Sequence, residues 1–327
     1  MQYRRLGKSG LKVSALSFGS WVTFGKQVDI NIAKVLIKSA YDAGVNFFDN
    51  AEGYMAGASE KIMGDAISAL GFPRSSYIVS SKVFWGGSLP TQKGLSAKHV
   101  RDACDAALTR LKVDYLDLYF CHRPDIDTPI SETVRAMDNL VRQGKVLYWG
   151  TSEWSSQQIT EAHLIAEREN LTPPTMEQPQ YNMLSRQRFE QEYLPLYENF
   201  GMGTTIFSPL RSGILTGKYV DGIPENSRLS LEGYENLRNQ LLKDDGTADK
   251  VRQLMHLASE LNVSMANLAI AWTLMNPNVS SAILGASKLN QLQENLQALD
   301  VLPLLTPDVM ENIEQILSNK PEGPERY

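Results

Sequence analysis

The stretch YIVSSKVFWGGSLPTQKGLSAKHVRDACDAALTRLKVDYLDLYFCH, Tyr77–His122, reads as strand, helix and strand again. A short apolar run, YIVSSK (77–82), is followed by a segment from Ser96 to Leu111 whose apolar residues recur at three and four. Ser96 stands where an N-cap is needed. A second apolar run, YLDLYFCH (115–122), closes the unit, and both runs end in a polar group, Lys82 and His122.

The same alternation extends in both directions. Upstream, LSFG (16–19) precedes a helical pattern over Asn31–Ala43, and VNFFD (45–49) precedes one over Ser59–Leu70. Downstream, Ser131–Gln143 follows, then VLYWGTS (146–152) with Ser155–Glu169. TMEQ (175–178) comes next with a helix near Arg188–Phe200, then GTTIFS (203–208). AILGAS (282–287) and Leu289–Leu299 complete the series. About eight such units predict an α/β fold, a closed (β/α)8 TIM barrel rather than an open doubly wound sheet. YRRLGKSGLKVSAL reads as an N-terminal hairpin capping the barrel floor, and Pro307–Leu317 as an extra C-terminal helix. The segment from Arg211 to Lys243 reads as a long functional loop. With no break in composition, residues 1–327 are expected to form one domain.

Composition narrows the function. A net charge of −5 lacks the basic excess of a nucleic-acid binder. No apolar run is long enough to span a bilayer, so membrane insertion is not expected. Cys104 and Cys121 lack metal or redox spacing and read as small buried hydrophobes, which suits a reducing cytoplasm. His99, His122, His163 and His256 never fall at HExxH or HxH spacing, so no metal site is expected. GxGxxG after a strand, GxxxxGK[ST] and GxSxG are all missing, which sets aside the Rossmann, P-loop and serine-hydrolase readings.

Four residues carry chemistry. Asp49, Lys82 and His122 stand at or just past strand ends, with Tyr54 soon after Asp49. In a parallel barrel the loops at the C-terminal rim converge, so these four can meet in one pocket. A lysine ammonium beside Tyr54 is expected to make the phenol easier to deprotonate, with Asp49 holding Lys82 protonated and oriented. His122 is expected to donate to a carbonyl oxygen and stabilise the charge that develops there. Taken singly, each residue has a plainer role as cap, rim aromatic, solvated cation or core histidine. Their order along successive strands gives the set its weight.

The chain resembles the aldo-keto reductase superfamily, in the branch of the voltage-gated potassium channel β subunits and their plant and microbial reductase relatives. The resemblance runs from YRRLGKSGLKVSALSFGSW to GASKLNQLQENLQAL. It is carried by GVNFFDNAEGYMAGASEKIMG, SSKVFWGG, HRPDIDTPISETVRAM, YWGTSEWS, SPLRSGILTGKY and IPENSR. It implies an NADPH-dependent reduction of an aldehyde or ketone with Asp49, Tyr54, Lys82 and His122 as the catalytic set and Tyr54 as proton donor. It also implies an NADP(H) site. Ser20, Trp21 and Gln27 would lie by the nicotinamide with Asp49, Ser152 and Gln178 would hold the carboxamide, and Phe207 would stack on the ring. Ser208, Pro209, Leu210, Ser212, Gly213 and Lys218 would follow the pyrophosphate. Arg228, Gly285, Ser287 and Gln291 would surround the 2′-phosphate, and Glu294 and Asn295 the adenine. Trp21, Met55, Trp85 and Arg211 would line the mouth for a small carbonyl substrate, favouring a planar or apolar aldehyde over a polyanion.

Three positions depart from the branch. His122 replaces the Asn of the mammalian channel subunits, which points to a working reductase. Glu153 replaces an Arg beside the cofactor, and Arg211 replaces a small residue, where it would either reach a phosphate or narrow the mouth. The resemblance implies a homo-oligomer, with a tetramer as the common state. Its other functional reading is a redox-sensing cytoplasmic subunit docked on a potassium channel. A barrel aldolase with Lys82 as Schiff-base lysine is the third reading.

Overall fold

The computed structural model describes residues 1–21, 23–225, 227–230, 235, 238–239 and 246–323. These fall into two compact units. The first holds Met1–Pro179, Glu192–Phe207 and Asn278–Gln293; the second holds Gln180–Gln191, Ser208–Pro277 and Glu294–Tyr327.

The first unit opens with an antiparallel pair, β1 (Tyr3–Arg5) and β2 (Lys12–Ser14). Eight parallel strands follow: β3 (Leu16–Gly19), β4 (Phe47–Asp49), β5 (Ile78–Val83), β6 (Leu116–Cys121), β7 (Val146–Thr151), β8 (Met176–Glu177), β9 (Gly203–Ile206) and β10 (Ser281–Leu284). β10 pairs with both β3 and β9, so the sheet closes on itself as a barrel and leaves no edge. The fold is the (β/α)8 barrel that the alternation predicts. Helices α1 (Ile30–Asp42), α2 (Ala58–Leu70), α3 (Ala97–Leu111), α4 (Ile130–Arg142) and α5 (Ser156–Glu169) cross between successive strands. Ser96 accepts from the His99 N–H and caps α3, as its position predicts. Near Arg188–Phe200 the single expected helix is broken: a π-turn spans Arg188–Glu192, and α6 (Leu194–Phe200) starts anew with Pro195 in its first turn.

The hairpin closes the barrel at the start of its strands. Leu6 and Val13 join Phe47, Ile78, Leu118, Met176 and Ile283 in one buried cluster. The Lys8 N–H donates to the Gly201 carbonyl, and Arg4 to that of Val279. The opposite, C-terminal rim is left clear of it.

Side-chain alternation sorts each strand. On β5, Ser80 and Lys82 point inward while Ser81 points out and donates to Glu60 of α2, 2.5 Å away. Arg110 of α3 holds the other oxygen of Glu60 at 2.6 Å, so a buried carboxylate ties two helices to the strand bearing Lys82. The helices meet closely at Gly64, where an added Cβ would stand 2.4 Å from the Arg110 carbonyl oxygen. Gly64→Ala is therefore expected to destabilise the fold by about 1–3 kcal/mol, since backbone must move to admit one methyl group. A urea melt with an unaltered midpoint would show that the two helices separate freely.

The second unit contains α7 (Thr247–Glu260), α8 (Met265–Met275), α10 (Ala298–Val301) and α11 (Pro307–Leu317), with α9 (Leu289–Leu296) beginning in the first unit and ending in the second. Neither α7 nor α8 was anticipated. The long loop expected from Arg211 to Lys243 is broken by 3-10 turns at Arg211–Thr216 and Arg228–Ser230, and much of its remainder lies outside the described residues. Arg186 bridges Glu190 and Glu314 at 2.8 and 2.7 Å, tying α11 to the segment before the π-turn.

Candidate active site

Four strands end their inward-facing columns in polar residues. Asp49 follows Phe47, Lys82 follows Ile78 and Ser80, His122 follows Leu118 and Phe120, and Gln178 follows Met176. The apolar members fill the barrel, and the next inward position on each strand stands on that floor. Local sequence thus decides height as well as direction.

Asp49 and Lys82 are buried and form an ion pair at 2.6 Å. Ser80 donates to the second oxygen of Asp49 at 2.7 Å, and the Gln178 amide nitrogen at 3.1 Å. Neither of those supports was read from the sequence, although Ser80 lies two residues before Lys82, where strand period places it on the same face. The three N–H bonds of Lys82 are all used: Asp49 at 2.6 Å, the Asn50 carbonyl at 2.7 Å and the Tyr54 hydroxyl at 3.3 Å. An ammonium only donates, so the Tyr54 oxygen accepts and its own proton is left for a third atom. Tyr54 is delivered by a tight turn in which Met55 and Ala56 both take positive φ (51° each). Left-handed non-glycine residues cost about 1–2 kcal/mol each and persist where surroundings enforce them.

The Tyr54 phenol is pushed well above its ordinary pKa, by burial first and by Asp49 second, with Arg123 opposing. This reverses the expectation of an easily deprotonated phenol. Asp49 is nearer to Lys82 than Tyr54 is and offsets the ammonium's field. Lys82 itself is lowered by burial, with Asp49 acting the other way. His122 is pushed well below its usual value by burial, then by Lys82 and Arg123, so its imidazole is neutral at pH 7. Its ring packs edge-on to Tyr54 at 5.6 Å and to Trp85 at 4.9 Å. His122 Nδ1 is buried without a partner among the described residues. Placing the ring proton on Nε2 therefore avoids a buried orphan donor and gives the imidazole one N–H to offer.

Three large apolar residues that the sequence assigns to a substrate mouth are exposed: Trp21 (41%), Met55 (47%) and Trp85 (45%). Arg123, next after His122, was missed. Its Nη1 donates to the His122 carbonyl at 2.5 Å and to Ser152 Oγ at 3.2 Å, with the guanidinium over Trp85. Ser20 donates to the Asp49 carbonyl, Gln27 lies exposed, and Phe207 follows β9 directly with its N–H on the Pro179 carbonyl. Ser152 Oγ also donates to the Gln178 carbonyl at 2.8 Å. The Gln178 amide nitrogen is spent on Asp49 and Thr205, which leaves its side-chain oxygen for a carboxamide. Glu153 sits at φ 60° with its N–H on Glu177. Ser287 and Gln291 bond each other near the start of α9, and Gly285 directly follows β10.

In the second unit, Arg211, Ser212 and Gly213 all have positive φ, at 45°, 55° and 97°. Leu210 followed by left-handed Arg211 makes the concave backbone that favours anions. Ser208 Oγ accepts from the Ser212 N–H, Pro209 is buried, and Arg211 donates to Ser185. A Cβ on Gly213 would meet Lys218 Cε at 3.0 Å. Lys218 Nζ stands 5.0 Å from the Tyr219 ring centroid and has no hydrogen-bond acceptor among the described residues, so the glycine turn carries a cation suited to a phosphate. Glu294 is exposed and Asn295 buried at the end of α9. The side chain of Arg228 lies outside the described residues.

Comparison with known proteins agrees with this geometry. The sequence model described as "Aldo/keto reductase family" matches residues 15–318. The chain is 56% identical over 328 residues to an Oryza sativa subsp. japonica protein named "Probable voltage-gated potassium channel subunit beta", covering all of both chains. An Arabidopsis thaliana protein of the same name is also 56% identical over 328 residues, again across both full lengths. No helix of the described residues is long and apolar enough to cross a membrane. The chain belongs to the aldo/keto reductase family, a family of oxidoreductases.

Proposed function

We propose that the protein is an NADPH-dependent reductase of aldehydes or ketones. The observation that carries the reading is the Tyr54 hydroxyl, which accepts from Lys82 beside Asp49 and so keeps its own proton for a substrate oxygen. When bound, NADPH supplies the hydride. Tyr54 donates its proton to the carbonyl oxygen as negative charge develops there, and Lys82 steadies the phenolate that remains. His122 donates from its ring N–H to the same oxygen, a contact that strengthens as charge builds. Trp21, Met55 and Trp85, exposed in the free protein, would pack on a bound substrate and keep water from the reacting carbon.

The residues proposed to hold the cofactor are Ser20, Trp21, Gln27, Asp49, Ser152, Gln178 and Phe207 at the nicotinamide end. Ser208, Pro209, Leu210, Ser212, Gly213 and Lys218 would serve the pyrophosphate. Arg228, Gly285, Ser287 and Gln291 would take the 2′-phosphate, with Glu294 and Asn295 at the adenine. Arg211 is proposed either to reach a phosphate or to narrow the mouth. This assignment favours NADPH over NADH. Loss of one charge-assisted bond costs about 1.5–3 kcal/mol, so Arg228→Ala is expected to weaken NADPH about tenfold to a hundredfold and leave NADH little changed. Titration of intrinsic fluorescence with each nucleotide measures this; equal affinity of the parent for both removes the 2′-phosphate assignment.

The chain is proposed to act as one domain in the cytoplasm and to assemble as a homo-oligomer, with four copies the favoured number. The names of the 56%-identical relatives favour a second reading, a regulatory subunit of a potassium channel. Aldehyde-driven oxidation of NADPH separates the two. Turnover with any aldehyde supports the reductase, whereas tight NADPH binding without turnover favours the subunit.

A further inference from the structure

The charges around Tyr54 do not balance. Asp49 and Lys82 cancel as a pair, and His122 is neutral. Arg123 remains. Its guanidinium lies 5.5 Å from the Trp85 ring centroid, against one of the exposed apolar residues of the mouth. Trp85 in turn packs on His122, so the guanidinium and the imidazole share one aromatic wall. Arg123 makes two hydrogen bonds to the described residues, both from Nη1, to the His122 carbonyl and Ser152 Oγ. They fix the plane of the guanidinium. The Nε–H and both Nη2 N–H groups have no acceptor among the described residues, and no carboxylate among those residues pairs with Arg123. A braced guanidinium with one edge open is suited to bidentate contact with a carboxylate.

A role confined to bracing accounts for Nη1 and leaves the open edge without a purpose. A half-buried, unpaired cation also costs solvation that a bound anion would restore. The positive field of Arg123 reaches Tyr54, Lys82 and His122, all three of which it shifts in the direction expected of a nearby cation.

We propose that Arg123 is the specificity-determining residue of this pocket and selects carbonyl substrates that carry one carboxylate. The proposal rests on the reductase reading above and names its substrate class. The carbonyl oxygen would sit at Tyr54 and His122, with the carboxylate against the open edge of Arg123 and the carbon skeleton along Trp85. One cation matches one negative charge. The apolar residues Trp21, Met55 and Trp85 still disfavour a polyanion.

The test compares 4-carboxybenzaldehyde with its methyl ester, which keeps the ring and the aldehyde and removes the charge. kcat/KM is measured for both in the parent, Arg123→Gln and Arg123→Lys, together with NADPH affinity. The parent is expected to favour the acid. Arg123→Gln should lower the acid-to-ester ratio about tenfold to a hundredfold, the size of a charge-assisted contact. Arg123→Lys should fall between, because an ammonium keeps the charge and loses the fork. Should Arg123→Gln fail to fold, the parent alone suffices. Its kcat/KM for the acid should fall with added salt more steeply than that for the ester. An acid-to-ester ratio that is unchanged in Arg123→Gln, or equal salt responses in the parent, overturns the proposal while leaving the reductase reading in place. A parallel loss for both substrates with weakened NADPH binding also overturns it, because Arg123 would then serve the cofactor. If the parent reduces neither compound nor any other aldehyde, the reductase reading falls and this one with it.

Discussion

Tyr54→Phe is expected to slow carbonyl reduction by about 10²–10⁴-fold, the usual worth of a positioned proton donor, with NADPH affinity close to that of the parent. The substitution removes one oxygen from a packed ring. Lys82 keeps Asp49 and the Asn50 carbonyl at 2.6 and 2.7 Å, so the ion pair survives. The turn through Met55 and Ala56 is a backbone feature and holds the phenyl ring where the phenol was. Single-turnover oxidation of pre-bound NADPH by an aldehyde separates the proton step from product release. A mutant that reacts at the parent's rate removes Tyr54 from the chemistry.

Lys82→Met should have the larger effect on stability. It leaves Asp49 buried with its neutral donors Ser80 and Gln178 and no cation. Breaking a buried pair from one side costs about 3–5 kcal/mol, whereas replacing both members with apolar side chains can be nearly neutral. Lys82→Met is thus expected to lower the urea midpoint sharply, and Lys82→Met with Asp49→Leu to recover much of it. Neither should regain reductase activity, because the Tyr54 phenolate would have no cation beside it. A single mutant as stable as the parent would mean that Asp49 sheds its charge at little cost. A double mutant with full activity would detach the ion pair from the chemistry.

The barrel was legible because each strand–helix unit repeats the same two periods, and the strand ends needed only small trimming. VNFFD shortened to Phe47–Asp49, and AILGAS became Ser281–Leu284. Two helices escaped for different reasons. α7 carries Val251, Leu254, Leu257 and Ala258 at helical spacing, a legible signal overshadowed by the polar loop before it. α8 is buried from Met265 to Leu274 on every face, so it has no amphipathic stripe to detect. The break at Tyr193 was carried by Pro195, which suits the first turn of a new helix better than the interior of a longer one.

At the site, strand ends showed which residues converge, and the structure brings Asp49, Tyr54, Lys82 and His122 together. The direction of the Tyr54 shift was not legible. It depends on burial and on whether Asp49 or Tyr54 stands nearer to Lys82, and spacing along the chain carries neither. Arg123 was overlooked because an arginine after a strand is usually solvated. Its role follows from Trp85 and Ser152, which lie 38 and 29 positions away in opposite directions along the chain.

Single-turnover oxidation of NADPH by an aldehyde, followed by absorbance across a series of pH values, bears most directly on the claim that a protonated Tyr54 and a neutral His122 reduce a carbonyl. A raised phenol stays protonated below its folded pKa, which lies above ~10, and a lowered imidazole stays neutral above its own, which lies below ~6.5. The account predicts a fast hydride step with a level rate from about pH 7 to about pH 9. Bound NADPH that no aldehyde oxidises at any pH, or a rate that follows a single group titrating within that window, would contradict it.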